Sequence, residues 1–175
     1  MQDLPGTTIR QLAAADAEAF SALRREVTAD NPVPMGLTLD EELTRPLEGF
    51  REQLSFPEPN AAFGAFVGSE LVGSAAVAWT SKFASSRHKV TLWGTFVSPR
   101  YRRRGIARAL VEKAIAHANA NGVRRVNLTV FVPNEPAVQL YRSLGFVVCG
   151  AEPEAVRIGE AFFDGQLMSL LHNAV

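Results

Sequence analysis

The chain has 175 residues, 47% of them hydrophobic and 21% charged, a composition that excludes disordered, collagen-like and disulfide-scaffold classes and fits one globular domain over residues 1–175. No apolar run approaches the ~20 residues that a membrane helix needs, and Met1-Gln2-Asp3-Leu4-Pro5 shows no basic stretch leading into an apolar one, so a cytoplasmic location without a membrane partner is expected. Cys149 is the one cysteine, which excludes an internal disulfide and a cysteine-based zinc site.

Net charge is zero, but it is divided along the chain. Residues 1–70 carry 12 acids and 5 bases, residues 71–150 carry 2 acids and 12 bases, and residues 151–175 carry 4 acids and 1 base. The middle of the chain therefore expects an anion, and the acidic flanks are free to meet a cation.

Thr8-Ile9-Arg10-Gln11-Leu12 reads as a first strand, and Asp16 as the N-cap of a helix to about Val27, with Ala19, Leu23 and Val27 spaced by four. Asp30-Asn31-Pro32-Val33-Pro34 breaks it. A second helix is expected over 38–55, capped near Thr38 or Asp40 and interrupted by Pro46. From residue 61 the period changes to two: 61–67 and 71–79 flank Gly68-Ser69-Glu70 as a hairpin. Val90, Leu92, Gly94 and Phe96 alternate with Thr91, Trp93, Thr95 and Val97 in a further strand that Pro99 ends. A helix led by Gly105 follows, with Ile106, Leu110, Ala114 and Ala118 on one face, and runs to Asn121-Gly122. Residues 126–132 are β-branched and alternating, and so read as a strand. Pro136 opens a helix with Ala137, Leu140, Tyr141 and Leu144 on its apolar stripe, and Gly145 stops it. Residues 146–150 and 155–171 read as closing strands, with Asp164-Gly165 as the last turn. The result is a mixed α/β sheet in a single domain.

The stretch that carries chemistry is Phe96-Val97-Ser98-Pro99-Arg100-Tyr101-Arg102-Arg103-Arg104-Gly105-Ile106-Ala107-Arg108. A strand enters a loop, and the loop enters a helix N-terminus, where several backbone N–H groups lack intrahelical partners and the macrodipole adds about half a positive charge. A phosphate placed there meets ready-made donors. Gly105 permits close backbone approach, small Ala107 leaves space, and five arginines supply guanidinium forks suited to phosphate oxygens. Neither the phosphate-loop nor the three-glycine dinucleotide pattern is present. Nucleic acid is disfavoured, because the bases lie in one loop without aromatic interleaving or net basicity.

Here the sequence resembles the GNAT superfamily of N-acetyltransferases. The family's coenzyme loop, Gln/Arg-x-x-Gly-x-Gly/Ala, is matched by Arg102-Arg103-Arg104-Gly105-Ile106-Ala107, after a strand ending in Val97-Ser98-Pro99. The family's second half, Asn-x-x-Ala-x-x-Leu-Tyr-x-x-x-Gly-Phe, is matched without a gap from Asn134 to Phe146. The likeness is close over about 89–150. It implies a mostly antiparallel mixed sheet, flanked by helices, in which two central parallel strands splay and admit the pantetheine of acetyl-CoA. It further implies that the backbone at Phe96 and Val97 holds the pantetheine amides and the thioester carbonyl, that residues 103–108 (Arg103, Arg104, Gly105, Ile106, Ala107 and Arg108), with Arg102, hold the pyrophosphate, and that Asn134 touches the pantetheine arm. Tyr141 would be the general acid that protonates the departing thiolate. The cosubstrate is acetyl-CoA and the acceptor a primary amine, small or peptide-borne, with a homodimer left open.

Each residue also has a structural role to weigh. A Tyr on an apolar stripe is commonly core, Asn134 before Glu135-Pro136 is a helix cap, and Cys149 is expected to be a small buried hydrophobe. His88, His117 and His172 are unclustered, so no metal site is expected. The chain departs from the clearest family members in carrying no carboxylate between residues 71 and 111, where many place a general base on the strand. Glu42, Asp164 or ordered water could stand in for it. A non-catalytic acyl-CoA-binding module is the alternative to an enzyme. The acidic flanks, which the resemblance places around the acceptor, lead to the expectation of a cationic acceptor held by carboxylates.

Overall fold

The structure is a computed structural model that describes residues 6–171, so the readings at Met1–Pro5 and His172 fall outside the described residues. Seven strands form one sheet in the order β1-β2-β3-β4-β5-β7-β6, where β1 is Thr7–Gln11, β2 Ala61–Val67, β3 Glu70–Ala78, β4 Lys89–Val97, β5 Arg125–Phe131, β6 Val147–Ile158 and β7 Ala161–Leu171. Every neighbouring pair is antiparallel except β4 and β5. That parallel pair is joined only at Lys89↔Arg125, Val90↔Val126 and Thr91↔Asn127. Beyond Thr91 the two strands part, as the resemblance implied. This mixed α/β fold is the expected one.

Helix α1 (Ala17–Asp30) lies with α2 (Leu39–Thr44) and α3 (Leu47–Leu54) on one face of the sheet, and α4 (Ile106–Ala120) and α5 (Glu135–Ser143) lie on the other. Phe20, Leu23 and Val27 of α1 meet Phe50 of α3 and the side chains of Ala62, Phe66, Leu71 and Ala76 from β2 and β3. Opposite, Ile106, Leu110, Ala114 and Ala118 of α4 and Val138 and Tyr141 of α5 close over Phe63, Val72, Val90, Val126, Leu128 and Met168. Removing apolar area of this kind from water is what holds both layers to the sheet. No helix is long and apolar enough to cross a membrane among the described residues.

Several boundaries differ from the sequence reading for local reasons. Asp16 is the N-cap of α1 as expected, but its side chain makes no cap bond there: its carboxylate takes Arg10 Nη1 and Nη2 at 2.8 and 2.7 Å and the Ala13 N–H at 2.9 Å. Thr38 does cap α2, in a reciprocal box with Glu41. The helix expected over 38–55 divides because Arg45, forced extended by the following Pro46, cannot stay in helical conformation.

The last hairpin is the main correction. Its turn is Gly159-Glu160, not Asp164-Gly165, which lie within β7 with Gly165 opposite Glu152 and Phe131. A β-bulge lies between Glu152 and Val156, where Glu154 has φ 50° and its N–H donates to Asp164 Oδ1 at 2.8 Å. Asp164 therefore stabilises a bulge rather than a turn. Cys149 is exposed, not buried, because β6 is the edge strand and its residues up to Glu154 turn little apolar surface to the core.

Candidate active site

The site grows out of β4. The sequence alternation from Val90 to Val97 predicts one regular strand, but the register against β3 shifts between Ser74 and Ala76, where Gly94 takes φ 62°. A bulge of this kind places two residues of one strand against one of the other and re-aims the side chains beyond it. Val90, Leu92 and Val97 thus face the α4/α5 core, while Trp93 and Phe96 face α1 and α3. Phe96 stacks on Phe20 at 6.2 Å between ring centroids. Past the bulge, β4 is no longer hydrogen-bonded to β5, so its backbone groups on that side are free to meet a third strand-like ligand.

Two cavities flank this seam. One, of about 250 Å³, is lined by Val97, Tyr101, Arg102, Arg103, Gly105, Ile106, Ala107, Arg108 and Leu140. Seven of the ten residues that the sequence proposed for coenzyme binding line it: Val97, Arg102, Arg103, Gly105, Ile106, Ala107 and Arg108. Gly105 is the N-cap of α4 with φ 82° and no side-chain cap, so the N–H groups of the first turn stand open. A pyrophosphate fits a helix end of this kind.

The arginines divide into two sets. Arg100 pairs with Glu70 at 2.7 Å and Glu26 at 3.7 Å, and Arg102 pairs with Asp30 at 2.7 Å while donating to the Val97 carbonyl at 3.1 Å. Arg108 donates to Ser143 Oγ at 2.6 Å and lies 3.6 Å from Glu112. Arg104 reaches the Arg100 carbonyl at 3.3 Å and lies over the Tyr101 ring. Arg103, at φ 63°, has no ion pair among the described residues and is free to meet an anion.

Asn134 stands outside both cavity linings, and its side chain accepts from the Ala137 N–H at 3.3 Å as the N-cap of α5. Tyr141 is 7% exposed, its ring edge-on to Phe146 at 5.6 Å. Burial pushes its phenol above the ordinary value, and the nearby Thr95 hydroxyl offsets this in part. Thr95 Oγ1 is nevertheless buried without a hydrogen-bond partner, on the lining of a second cavity, while Tyr141 itself lines neither cavity. An orphan hydroxyl beside a protonated phenol marks the place where a ligand would complete the network.

The second cavity, about 320 Å³, lies on the α1–α3 side and is lined in part by Arg24, Met35, Arg45, Gln53, Thr91, Trp93, Phe96, Thr129 and Phe131. The sequence reading missed this wall: Arg24 of α1, Arg45 of the turn between α2 and α3, and Gln53 of α3 are remote in sequence from the recognisable motif. No carboxylate lines this cavity. The candidate bases are engaged elsewhere, Glu42 with Arg24 and Asp164 in the bulge of β6. Three acids of the first flank, Glu26, Asp30 and Glu70, meet arginines of the coenzyme loop instead. The lining of this cavity therefore lacks the carboxylates expected around an acceptor. Among the described residues no cluster of His, Cys, Asp or Glu could hold a metal.

Comparison with known proteins adds to this geometry. The model of the Acetyltransferase (GNAT) family matches residues 20–146. The chain belongs to that family. Its members are acyltransferases that take an acetyl group from acetyl-CoA, so the enzyme class and cosubstrate expected from the motif are those of the family. The N-alpha-acetyltransferase RimI of Mycobacterium tuberculosis is 31% identical over 160 residues, covering 91% of this chain and 90% of that protein. The crystal structure of a GNAT-family acetyltransferase from Streptococcus pneumoniae superposes with a TM-score of 0.79 at 28% identity, over 95% of this chain and 99% of that one. The yncA acetyltransferase of Salmonella typhimurium, solved with acetyl-CoA, shares the fold with a TM-score of 0.78 at 19% identity, over 96% and 95% of the two chains. The chain spans less than half the length of the first curated relatives it matches.

Proposed function

We propose that this GNAT domain transfers an acetyl group from acetyl-CoA to a primary amine, in the cytoplasm, by direct attack and without an acyl-enzyme. The observation that carries the reading is the seam: β4 and β5 part after Thr91 and Asn127, with one cavity on each face of the sheet where they do so. A cosubstrate and an acceptor can then meet across β4.

Acetyl-CoA supplies a thioester whose carbonyl carbon the amine attacks, with loss of CoA as a thiol. The chain's part is positional and electrostatic. The open first turn of α4 and Arg103 hold the pyrophosphate in this reading, and the backbone at Phe96 and Val97 holds the pantetheine. A β4 N–H past the bulge donates to the carbonyl oxygen as negative charge develops there. Tyr141, kept protonated by its burial, gives its proton to the departing sulfur. The amine's own proton leaves through solvent in the acceptor cavity, whose lining offers no carboxylate or histidine.

The test is release of free thiol from acetyl-CoA by the purified protein against a panel of primary amines. Amine-dependent release supports the transferase. Tight acetyl-CoA binding with no release for any amine would assign the chain to non-catalytic acyl-CoA binding instead.

A further inference from the structure

The acceptor cavity has a charge of its own to account for. Its ionisable lining groups are Arg24 and Arg45. Both face a single carboxylate, Glu42, which is fully buried. Arg24 takes it in a two-pronged pair, Nε to Oε1 at 2.7 Å and Nη2 to Oε2 at 2.8 Å. Arg45 is left with a long approach to Oε2, at 3.5 Å. Two guanidinium charges thus share one carboxylate, and the wall of the cavity carries one positive charge in excess.

The excess sits on Arg45. Burial, and then the charge of Arg24, push its pKa below the ordinary value, so the site holds this cation against a cost. The guanidinium is nevertheless fixed in place, 4.3 Å from the centre of the Phe50 ring and donating to Gln53 Oε1 at 3.2 Å. Because Gln53 spends its oxygen on Arg45, its NH₂ remains as a donor beside the same guanidinium. A planar fork and an amide donor, oriented together on a cavity wall, match the two oxygens of a carboxylate. A bare alkylammonium would instead meet surplus positive charge at the point where it must enter.

Resting on the transferase reading, we infer that the acceptor is an amine that carries its own carboxylate, bound against Arg45 and Gln53 with its amino group directed at the seam. Arg45 is then a specificity-determining residue, and Arg24 the group that neutralises Glu42 so that the charge of Arg45 is left for the ligand.

The experiment compares the twenty common L-amino acids with their carboxamides, which keep the amine and lose the negative charge. Thiol release gives kcat/KM for each pair, and calorimetry on the protein with CoA bound measures affinity without turnover. The wild-type protein should prefer at least one acid over its amide, and R45Q should lower that acid-to-amide ratio by about 10- to 100-fold, chiefly through KM, as for loss of a charged hydrogen bond. R45K, which keeps the charge and loses the fork, should fall between and covers the case in which R45Q folds poorly. A residue that only paired with Glu42 would leave the ratio unmoved. Acids matched by their amides, a ratio unchanged in both variants, or no binding or acetylation of any of the twenty would overturn the inference. Acids bound in preference to amides with no thiol released would uphold the recognition of a carboxylate-bearing amine at Arg45 and overturn the transferase reading.

Discussion

At the scale of single residues, Tyr141 and the Arg24–Glu42 pair make different demands. Tyr141→Phe keeps the ring on Phe146 and removes only the hydroxyl, so kcat should fall by roughly 10²–10⁴-fold, the usual range for a positioned acid, while acetyl-CoA affinity measured by calorimetry barely changes. The sign of the pH dependence comes from burial. A phenol held above its ordinary value near 10 stays protonated through neutral pH, so the wild-type kcat profile should show no falling limb due to this group below about pH 10. The Arg24–Glu42 pair is buried on both sides, with side chains 6% and 0% exposed. Glu42→Gln leaves two guanidinium groups without their counter-charge and should cost about 3–5 kcal/mol in urea unfolding. The double variant Arg24→Met/Glu42→Leu should recover part of that loss, because the fully buried pair is replaced as a whole and only the half-buried Arg45 is left without its carboxylate.

At the scale of elements, the loop from Arg102 to Arg108 works because Gly105 turns left-handed and leaves the first turn of α4 uncapped. Gly105→Val adds a branched side chain at φ 82°, a region that costs an L-residue roughly 1–2 kcal/mol, and blocks the approach to the cradle. The variant should remain folded by circular dichroism and bind acetyl-CoA at least tenfold more weakly by calorimetry. This loop was legible in the sequence, since helix starts and anion cradles are local properties of a short segment. So were the elements from Ala61 to Phe146, where side-chain period and turn residues agree. The bulge at Gly94 was not, because a slip of register leaves the written alternation intact and shows only when the partner strand is in place. Asp164-Gly165 failed for a related reason: a strong turn dipeptide serves equally well opposite a bulge, and the pairing partner decides between the two. The Arg24, Arg45 and Gln53 wall was invisible because two helices and an interhelical turn bring it together and no spacing records it.

At the scale of the whole molecule, the division of charge along the chain resolves into contacts between distant segments. Acids of α1 and the start of β3 neutralise Arg100 and Arg102 of the coenzyme loop, while Arg103 and Arg104, without an ion pair among the described residues, keep their charge for a ligand. The sheet itself is less evenly joined, since among the described residues three residue pairs at one end of β4 and β5 are the only rungs between its two halves. The amide hydrogens of β4 beyond Thr91 that turn away from β3 have no carbonyl to shelter them, and they should trade with deuterium quickly in the protein alone. A pantetheine arm lying in the seam would become the missing rungs. Saturating coenzyme A should therefore slow exchange across residues 92–97 by well over tenfold, at a distance from the arginine loop that anchors its phosphates. A desulfo or dephospho analogue that keeps the two pantetheine amides should do the same, whereas adenosine 3′,5′-bisphosphate, which lacks them, should leave those amides as fast as before.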